Sequence, residues 1–171
     1  SIRMALLATS PPSTCCPSAS PRPPPLALEK RQGSGERRKT ADDEVALQGV
    51  AGVTGIVLKY RVPARDPERR WLAAVQDAQR AMSIVRSRAG DWGLDPKRIG
   101  IVGYSAGGHI ALYTASQPDA ELAACVAFYP VTDVGERAGA LLPAGSDENA
   151  IRNANPVTQM KAGYPPTIVF H

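Results

Sequence analysis

The sequence predicts an α/β fold, with a parallel sheet of about four strands flanked by helices. Short apolar segments alternate with helix-like segments along residues 42–171, and a glycine-flanked serine separates one such pair. Strands that alternate with helices are joined by right-handed crossovers, and such crossovers make neighbouring strands parallel. A chain of 171 residues is long enough for one domain with a core of its own.

Four segments are typical of buried strands, because they are short, apolar and partly β-branched. In chain order they are residues 54–62, 99–102, 121–129 and 165–171. The segment 42–50 begins with acidic residues, which are favourable in the first turn of a helix. It therefore predicts the end of a helix rather than a strand.

The strongest periodic signal predicts a helix from Trp71 to Ala89, where apolar residues recur at three- and four-residue steps and form one stripe. Two glycines end this helix. A second helix is predicted over residues 106–116. The polar segment 131–164 is interrupted by Gly and Pro, and we expect it to cover the site as a loop.

Residues 10–40 consist largely of Pro, Ser, Arg and Gly and have almost no apolar periodicity. Such a segment buries too little apolar surface to offset the entropy lost on ordering. We therefore predict a disordered segment over residues 1–41, followed by the folded domain over 42–171. An interaction protein that uses the basic residues 21–39 is an alternative reading of the chain.

Composition excludes several classes of function. The formal net charge of +4 comes largely from the N-terminal segment, where no aromatic residues interleave with the basic ones, so no nucleic-acid partner is predicted. No apolar run approaches the roughly 18 residues of a membrane span. Three cysteines form no disulfide framework, and Cys125 is expected to be buried. No metal cluster, phosphate loop or dinucleotide motif is present, so no cofactor or metal is predicted, and the localisation is not indicated.

The pattern G-x-S-x-G spans Gly103 to Gly107 and lies between a predicted strand and a predicted helix. A serine in such a sharp turn projects its hydroxyl at the carboxyl edge of the sheet, where α/β folds bind ligands. Small residues at Gly103, Gly107 and Gly108 let the strand and the helix approach each other. The sequence therefore predicts Ser105 as a nucleophile and the Ala106 N–H as a donor to an oxyanion.

This five-residue pattern also occurs by chance, and a serine between glycines is often only a turn. Here the strand before the serine, the helix after it and the second glycine at 108 all favour the nucleophile turn. The serine also occupies a position at which a dinucleotide-binding loop needs glycine.

The segment "YRVPARDPERRWLAAVQDAQRAMSIVRSRAGDWGLDPKRIGIVGYSAGGHIA" resembles α/β-hydrolase carboxylesterases of the acetyl-esterase and acetylxylan-esterase-like group. The likeness spans roughly residues 52–171 and includes "DPKRI", "GYSAGGH", "FYPVTD" and "PPTIVFH". It implies a partial α/β-hydrolase fold that hydrolyses esters through an acyl-enzyme. The implied substrates are small-molecule or carbohydrate esters, such as acetylated sugars, xylan or small acyl esters.

A serine nucleophile needs a histidine base and a carboxylate that orients it, and the chain has only two histidines. His109 follows Ser105 by four residues on the same helix, so its side chain should point into packing. Tyr104 and His109 are therefore expected to support the site without reacting. Asp133 could act as a substitute acid, although loop hydrogen bonding is the favoured role.

The resemblance implies that His171 precedes the loop that carries the acid, so both partners are expected beyond residue 171. The glycine loop that supplies a second oxyanion donor is also missing, and "PRPPPLALEKRQGSGERR" stands where it is expected. We therefore expect a truncated hydrolase, weakly active or inactive, that lacks N-terminal strands and follows an unrelated segment. A non-catalytic fragment or binding protein is the alternative. Exposed sheet edges would favour self-association.

Overall fold

Six strands form one sheet in the part of the chain that the computed structural model describes, which comprises residues 4–11, 46–50, 53–62, 70–135 and 141–171. The strand order across the sheet is β2-β3-β1-β4-β5-β6. The strands are β1 (Met4–Thr9), β2 (Ala46–Val50), β3 (Val53–Leu58), β4 (Ile99–Tyr104), β5 (Ala124–Phe128) and β6 (Thr167–Phe170).

The sheet is mixed rather than purely parallel. Strand β5 is parallel to both β4 and β6, whereas β1 is antiparallel to both β3 and β4. Because β3 and β4 are both antiparallel to β1, they run in the same direction as each other. The four strands predicted from the sequence therefore share one direction, and the two additional strands, β1 and β2, oppose it.

The prediction of disorder over residues 1–41 is wrong for β1. Met4, Leu6 and Ala8 are at most 1% exposed and face the core, while the residues between them are half-buried. In register, Leu6 lies opposite Ile56 on one side and Ile101 on the other. This short alternating run buries enough apolar surface to hold a strand between two partners. Residues 1–3 and 12–41, to which the same prediction applies, lie outside the described residues.

The prediction of a helix end in segment 42–50 is also wrong. Ala46–Val50 forms β2, which pairs antiparallel with β3 so that Val50 lies opposite Val53. Only residues 51–52 join the two strands, and a connection this short favours a hairpin. Local pairing with β3 therefore outweighs the acidic start of the segment.

Three helices accompany the sheet in the described ranges. Helix α1 (Trp71–Arg88) and helix α2 (Ala106–Ala115) confirm the two predicted helices. The segment after β5 contains more regular structure than predicted, namely α3 (Glu148–Ala154) and a 3₁₀ helix (Pro156–Gln159). The side chain of Asp147 caps α3 by accepting the Ala150 N–H at 2.8 Å.

The core lies on the side of the sheet that carries the helices. Helix α2 packs over β4 and β5, and α1 packs against α2. On this side the strand residues Ile56, Ile99, Ile101 and Cys125 are fully buried. Residues on the other side of the same strands, such as Val102, are only half-buried. The side that carries the helices is therefore the buried one, except at β6, where Val169 is 44% exposed.

Among the described residues, none of the helices is both long enough and apolar enough to cross a membrane. The same residues contain no group of three or more His, Cys, Asp or Glu side chains placed to hold a metal ion. Cys125 is a buried free thiol, as predicted, and burial raises its pKa to about 12.

Candidate active site

Ser105 occupies a strained turn between the end of β4 and the start of α2. Its backbone has φ 52° and ψ −119°, in the left-handed half of φ space that L-residues rarely adopt. The Ser105 N–H donates to the Phe128 carbonyl at 2.9 Å, which ties the turn to the end of β5. The Ser105 hydroxyl makes no capping bond to α2, and the residue is exposed. The turn therefore presents a hydroxyl at the carboxyl edge of the sheet.

The glycines around Ser105 are required by close backbone approach. A Cβ on Gly103 would lie 2.1 Å from the Gly107 carbonyl oxygen and 2.7 Å from the Gly108 nitrogen. A Cβ on Gly108 would lie 2.9 Å from Cβ of Pro130, in the segment that follows β5. Gly107 itself is buried in the first turn of α2. Helix α2 can therefore begin directly against β4 and the exit of β5 only with small residues here.

The first turn of α2 leaves backbone donors free near the serine. The His109 N–H donates to the Ser105 carbonyl at 3.1 Å, which is the first helical hydrogen bond. The amides of Ala106, Gly107 and Gly108 precede it and have no acceptor within the helix. They lie at the positive end of the helix dipole of α2. Ala106 follows Ser105 directly, so its N–H is the first of these free donors after the serine.

His109 lies within the core rather than over the serine hydroxyl. Its side chain is 2% exposed, and Nδ1 lies 3.1 Å from the Val131 carbonyl oxygen. The Trp71 ring packs edge-on against the imidazole, with a centroid separation of 5.9 Å. Burial lowers the pKa of His109, which the hydrogen bond to Val131 offsets only in part. Burial therefore favours the neutral form of the ring.

A row of aromatic rings crosses the ends of three parallel strands beside Ser105. Tyr104, at the end of β4, stacks on Phe128 with a centroid separation of 4.6 Å. Phe128 stacks in turn on Phe170, at the end of β6, with a separation of 4.7 Å. Sequence reasoning assigned only Tyr104 to the site and missed the other two rings. Each ring is the last residue of its strand, and only the parallel register, which no single segment indicates, places the three rings side by side.

The acidic candidates make local hydrogen bonds. Asp133 Oδ1 accepts the Gly135 N–H at 2.9 Å, in a short turn after β5. Asp95 Oδ1 accepts the Lys97 N–H at 2.9 Å in the turn before β4. His171 follows β6 directly and is exposed. Because β6 is parallel to β5 and β4, His171 lies at the same edge of the sheet as Ser105.

A serine held at positive φ between a strand and a helix, at the carboxyl edge of a sheet, is the site arrangement of a hydrolase with an α/β architecture. The family model described as the alpha/beta hydrolase fold matches residues 40–168. The chain belongs to this family. The fold class predicted from the sequence is therefore confirmed.

Curated relatives carry names that agree with the esterase resemblance. The chain is 27% identical over 164 residues to a probable carboxylic ester hydrolase, LipM, of Mycobacterium tuberculosis, which covers 81% of this chain and 37% of that protein. It is 34% identical over 99 residues to an acetylxylan esterase of Xylanibacter ruminicola, which covers 57% of this chain and 19% of that protein. The predicted relationship to esterases is thereby confirmed at the level of named relatives.

Solved structures give the same result. The acetyl ester-xyloside bifunctional hydrolase of Caldicellulosiruptor lactoaceticus matches with a TM-score of 0.60 and 27% identity, covering 68% of this chain and 48% of that one. Esterase 2 of Thermogutta terrifontis matches with a TM-score of 0.53 and 28% identity, covering 70% of this chain and 46% of that one. The chain thus spans about half the length of these structural relatives and 37% or less of the curated ones.

Proposed function

We propose that the site hydrolyses carboxylic esters through an acyl-enzyme, with Ser105 as the nucleophile. The observation that carries the proposal is the strained turn, in which Ser105 has φ 52° directly before the first turn of α2. Backbone strain of this kind is retained where it serves a function. The esterase names of the relatives add support from outside the site.

In the first step the Ser105 oxygen attacks the ester carbonyl carbon, and the carbonyl becomes an oxyanion that the Ala106 N–H stabilises. The serine proton passes to a general base and then to the leaving alcohol as the C–O bond breaks. Water hydrolyses the acyl-enzyme by the same steps in reverse order. Removing one donor from an oxyanion site lowers the rate by about 100-fold or more. The Ala106 N–H is therefore expected to contribute a large share of the rate enhancement.

His109 is not proposed as the base. Its Nδ1 is 3.1 Å from the Val131 oxygen, and the ring is 2% exposed, so it cannot exchange protons with a substrate above Ser105. His171 lies at the same edge of the sheet as Ser105, but the resemblance places the base after it, so His171 is not proposed as the base either. Without a base that contacts Ser105, this chain is proposed to turn over esters only weakly.

The proposed substrates are acetyl esters, including those of carbohydrates. This choice follows the names of two relatives, an acetylxylan esterase and an acetyl ester-xyloside hydrolase. A second candidate is a hydrolase-fold protein without turnover. The observation that favours it is the buried, neutral His109, whose ring bonds to the Val131 oxygen rather than to the serine.

The test is covalent labelling of the purified chain with a fluorophosphonate probe. The choice of probe is supported by esterase 2 of Thermogutta terrifontis, which is phosphorylated by paraoxon. We expect labelling of the wild type and none of Ser105→Ala, together with slow release of p-nitrophenol from p-nitrophenyl acetate by the wild type alone. An unlabelled wild type that is folded and monodisperse would support the second candidate.

A further inference from the structure

We propose that His109 is a positioning residue, whose Nδ1–H holds the segment leaving β5 against the first turn of α2 and so fixes the turn of Ser105. The segment concerned is residues 130–133, which we call the exit segment. The catalytic consequence of this role rests on the proposed function, whereas the structural role does not.

The end of β5 and the exit segment are fastened to the serine turn at three successive points. The Phe128 carbonyl accepts the Ser105 N–H at 2.9 Å. Pro130 contacts the bare face of Gly108, where a Cβ would come within 2.9 Å. The Val131 carbonyl lies 3.1 Å from His109 Nδ1. The third point is the only one made by a side-chain hydrogen bond, so it is the one that residue choice can remove without moving the backbone.

The hydrogen bond fixes the tautomer of His109. The Val131 carbonyl can only accept, so Nδ1 must carry the proton and donate it. In the neutral ring Nε2 is then the unprotonated nitrogen, and it is buried with no hydrogen-bond partner within the described structure. An imidazole used to move protons would need both nitrogens in use. Because Nδ1 is hydrogen-bonded and Nε2 has no partner, the ring acts as a fixed hydrogen-bond donor.

Packing alone would not require a histidine here. The ring contacts Trp71 edge-on and lies parallel to the Tyr113 ring, with centroid separations of 5.9 Å and 6.5 Å. Phenylalanine would make both contacts and would avoid the cost of a buried, unpaired nitrogen. The use of histidine is explained by the donor that it offers to Val131.

Removing this donor should loosen the exit segment. The Val131 carbonyl would lose its side-chain donor, and of the three points only the Phe128 bond and the Pro130 contact would remain. Because only Tyr129 separates Phe128 from this segment, we expect the bond from the Ser105 N–H to the Phe128 carbonyl to open more often. Ser105 would then lose its fixed position relative to the Ala106 N–H, and its reactivity would fall with no change in the serine itself.

Three substitutions distinguish the effect of the Nδ1–H donor from the effect of the packed ring. His109→Phe keeps a ring and removes the donor. His109→Asn places an amide N–H at the position of Nδ1, whereas His109→Gln places it one atom further out, near Nε2. Hydrogen–deuterium exchange of the Ser105 amide reports the turn, and the rate of fluorophosphonate labelling reports its chemistry. Amides in the middle of α1 serve as the reference for global stability.

We expect exchange at Ser105 to be about tenfold faster in His109→Phe and His109→Gln than in the wild type, measured relative to α1, with a similar loss in labelling rate. His109→Asn should restore most of the protection. Equal exchange at Ser105 in all four proteins would overturn the proposal, as would His109→Asn behaving like His109→Phe. If the wild type is not labelled at all, the proposed function fails while the exchange data still decide the role of His109.

The wild type provides a measurement that needs no variant. Nitrogen-15 NMR of the imidazole distinguishes its tautomers, and we expect the Nδ1–H form with Nδ1 hydrogen-bonded. A ring that is protonated on Nε2 would contradict the role of His109, even if the substituted chains fail to fold.

Discussion

Ser105 carries a conformational cost that the rest of the turn must sustain. A non-glycine residue at φ 52° is destabilised by about 1–3 kcal/mol relative to ordinary backbone. The Phe128 carbonyl and the first helical bond from His109 hold the residue there. The strain aims the hydroxyl away from α2, and a relaxed serine would instead be free to cap the helix that follows.

The strain predicts that Ser105→Gly is more stable than Ser105→Ala. Glycine adopts positive φ without steric cost but loses roughly 0.5–1 kcal/mol of backbone entropy on folding, so we expect a net difference of about 1 kcal/mol. Urea denaturation of the two variants measures the difference directly. Both variants lack the hydroxyl, so the comparison is independent of any catalytic role.

Ser83, an exposed residue inside α1, is the control position because its backbone is helical. There we expect the opposite order, with Ser83→Ala more stable than Ser83→Gly by about 1 kcal/mol. If the order is the same at both positions, the backbone of Ser105 is not strained.

At the scale of elements, β4 and the first turn of α2 meet through backbone atoms at Gly103. No side chain separates Gly103 from Gly107 and Gly108, so the helix begins in van der Waals contact with the strand. This contact brings the free amides of α2 next to Ser105. The proposed role of the Ala106 N–H as an oxyanion donor therefore depends on the distance between β4 and α2.

Gly103→Ala should force β4 and α2 apart. The new methyl group would lie 2.1 Å from the Gly107 carbonyl oxygen, and its neighbours are backbone atoms that cannot rotate away. We expect a loss of about 3 kcal/mol in the free energy of unfolding, measured by urea denaturation. Gly90→Ala is the matched control, because a Cβ there meets nothing within 4 Å. A loss at Gly103 no larger than at Gly90 would refute the close contact.

Elements set by local sequence could be predicted, and those set by distant partners could not. The apolar stripe of α1 and the strand–serine–helix order of β4 and α2 are each contained in one stretch of chain. Strand β1 was missed because its partners begin at Val53 and Ile99, and six residues carry little signal by themselves. The aromatic row was missed for the same reason, since its three rings meet only when the strands pair.

The candidate site likewise has a part that one stretch of sequence determines and a part that depends on a distant segment. Ser105, Ala106 and the glycines are consecutive, so one motif predicted them together. The contact from His109 to Val131 joins residues 22 apart, and nothing in either segment alone indicates it. A prediction from sequence finds the serine turn but not the segment that holds it.

At the scale of the whole molecule, the described sheet ends in a strand with an open edge. The carbonyls of Pro166 and Phe170 accept from β5, so the alternate backbone groups of β6, including those of Val169, point away from the sheet. The strand contains no charged residue and no proline, which are the usual protections of an edge. We therefore expect the chain to self-associate through β6.

Val169→Lys should weaken this association. A charge at the edge opposes pairing with a second strand, and the side chain of Val169 is already 44% exposed, so the fold should tolerate it. Sedimentation velocity over a range of concentrations should show a dimer or larger species for the wild type and a smaller fraction for the variant. Leu72→Lys, at an equally exposed position on α1, is the control and should not change the association. A wild type that is monomeric at every concentration would contradict the prediction.

The central place of β1 also has a consequence for the order in which the molecule assembles. Met4–Thr9 leaves the ribosome before either of its neighbours in the sheet, which end at Leu58 and Tyr104. The strand must therefore wait until about a hundred residues have been synthesised, and closure of such long loops slows folding. During that interval a bare apolar segment is accessible to chaperones and to other nascent chains. A bulky tag placed directly before β1 would act on this slow step, so the yield of folded protein should depend more on the N-terminal fusion than on the C-terminal one.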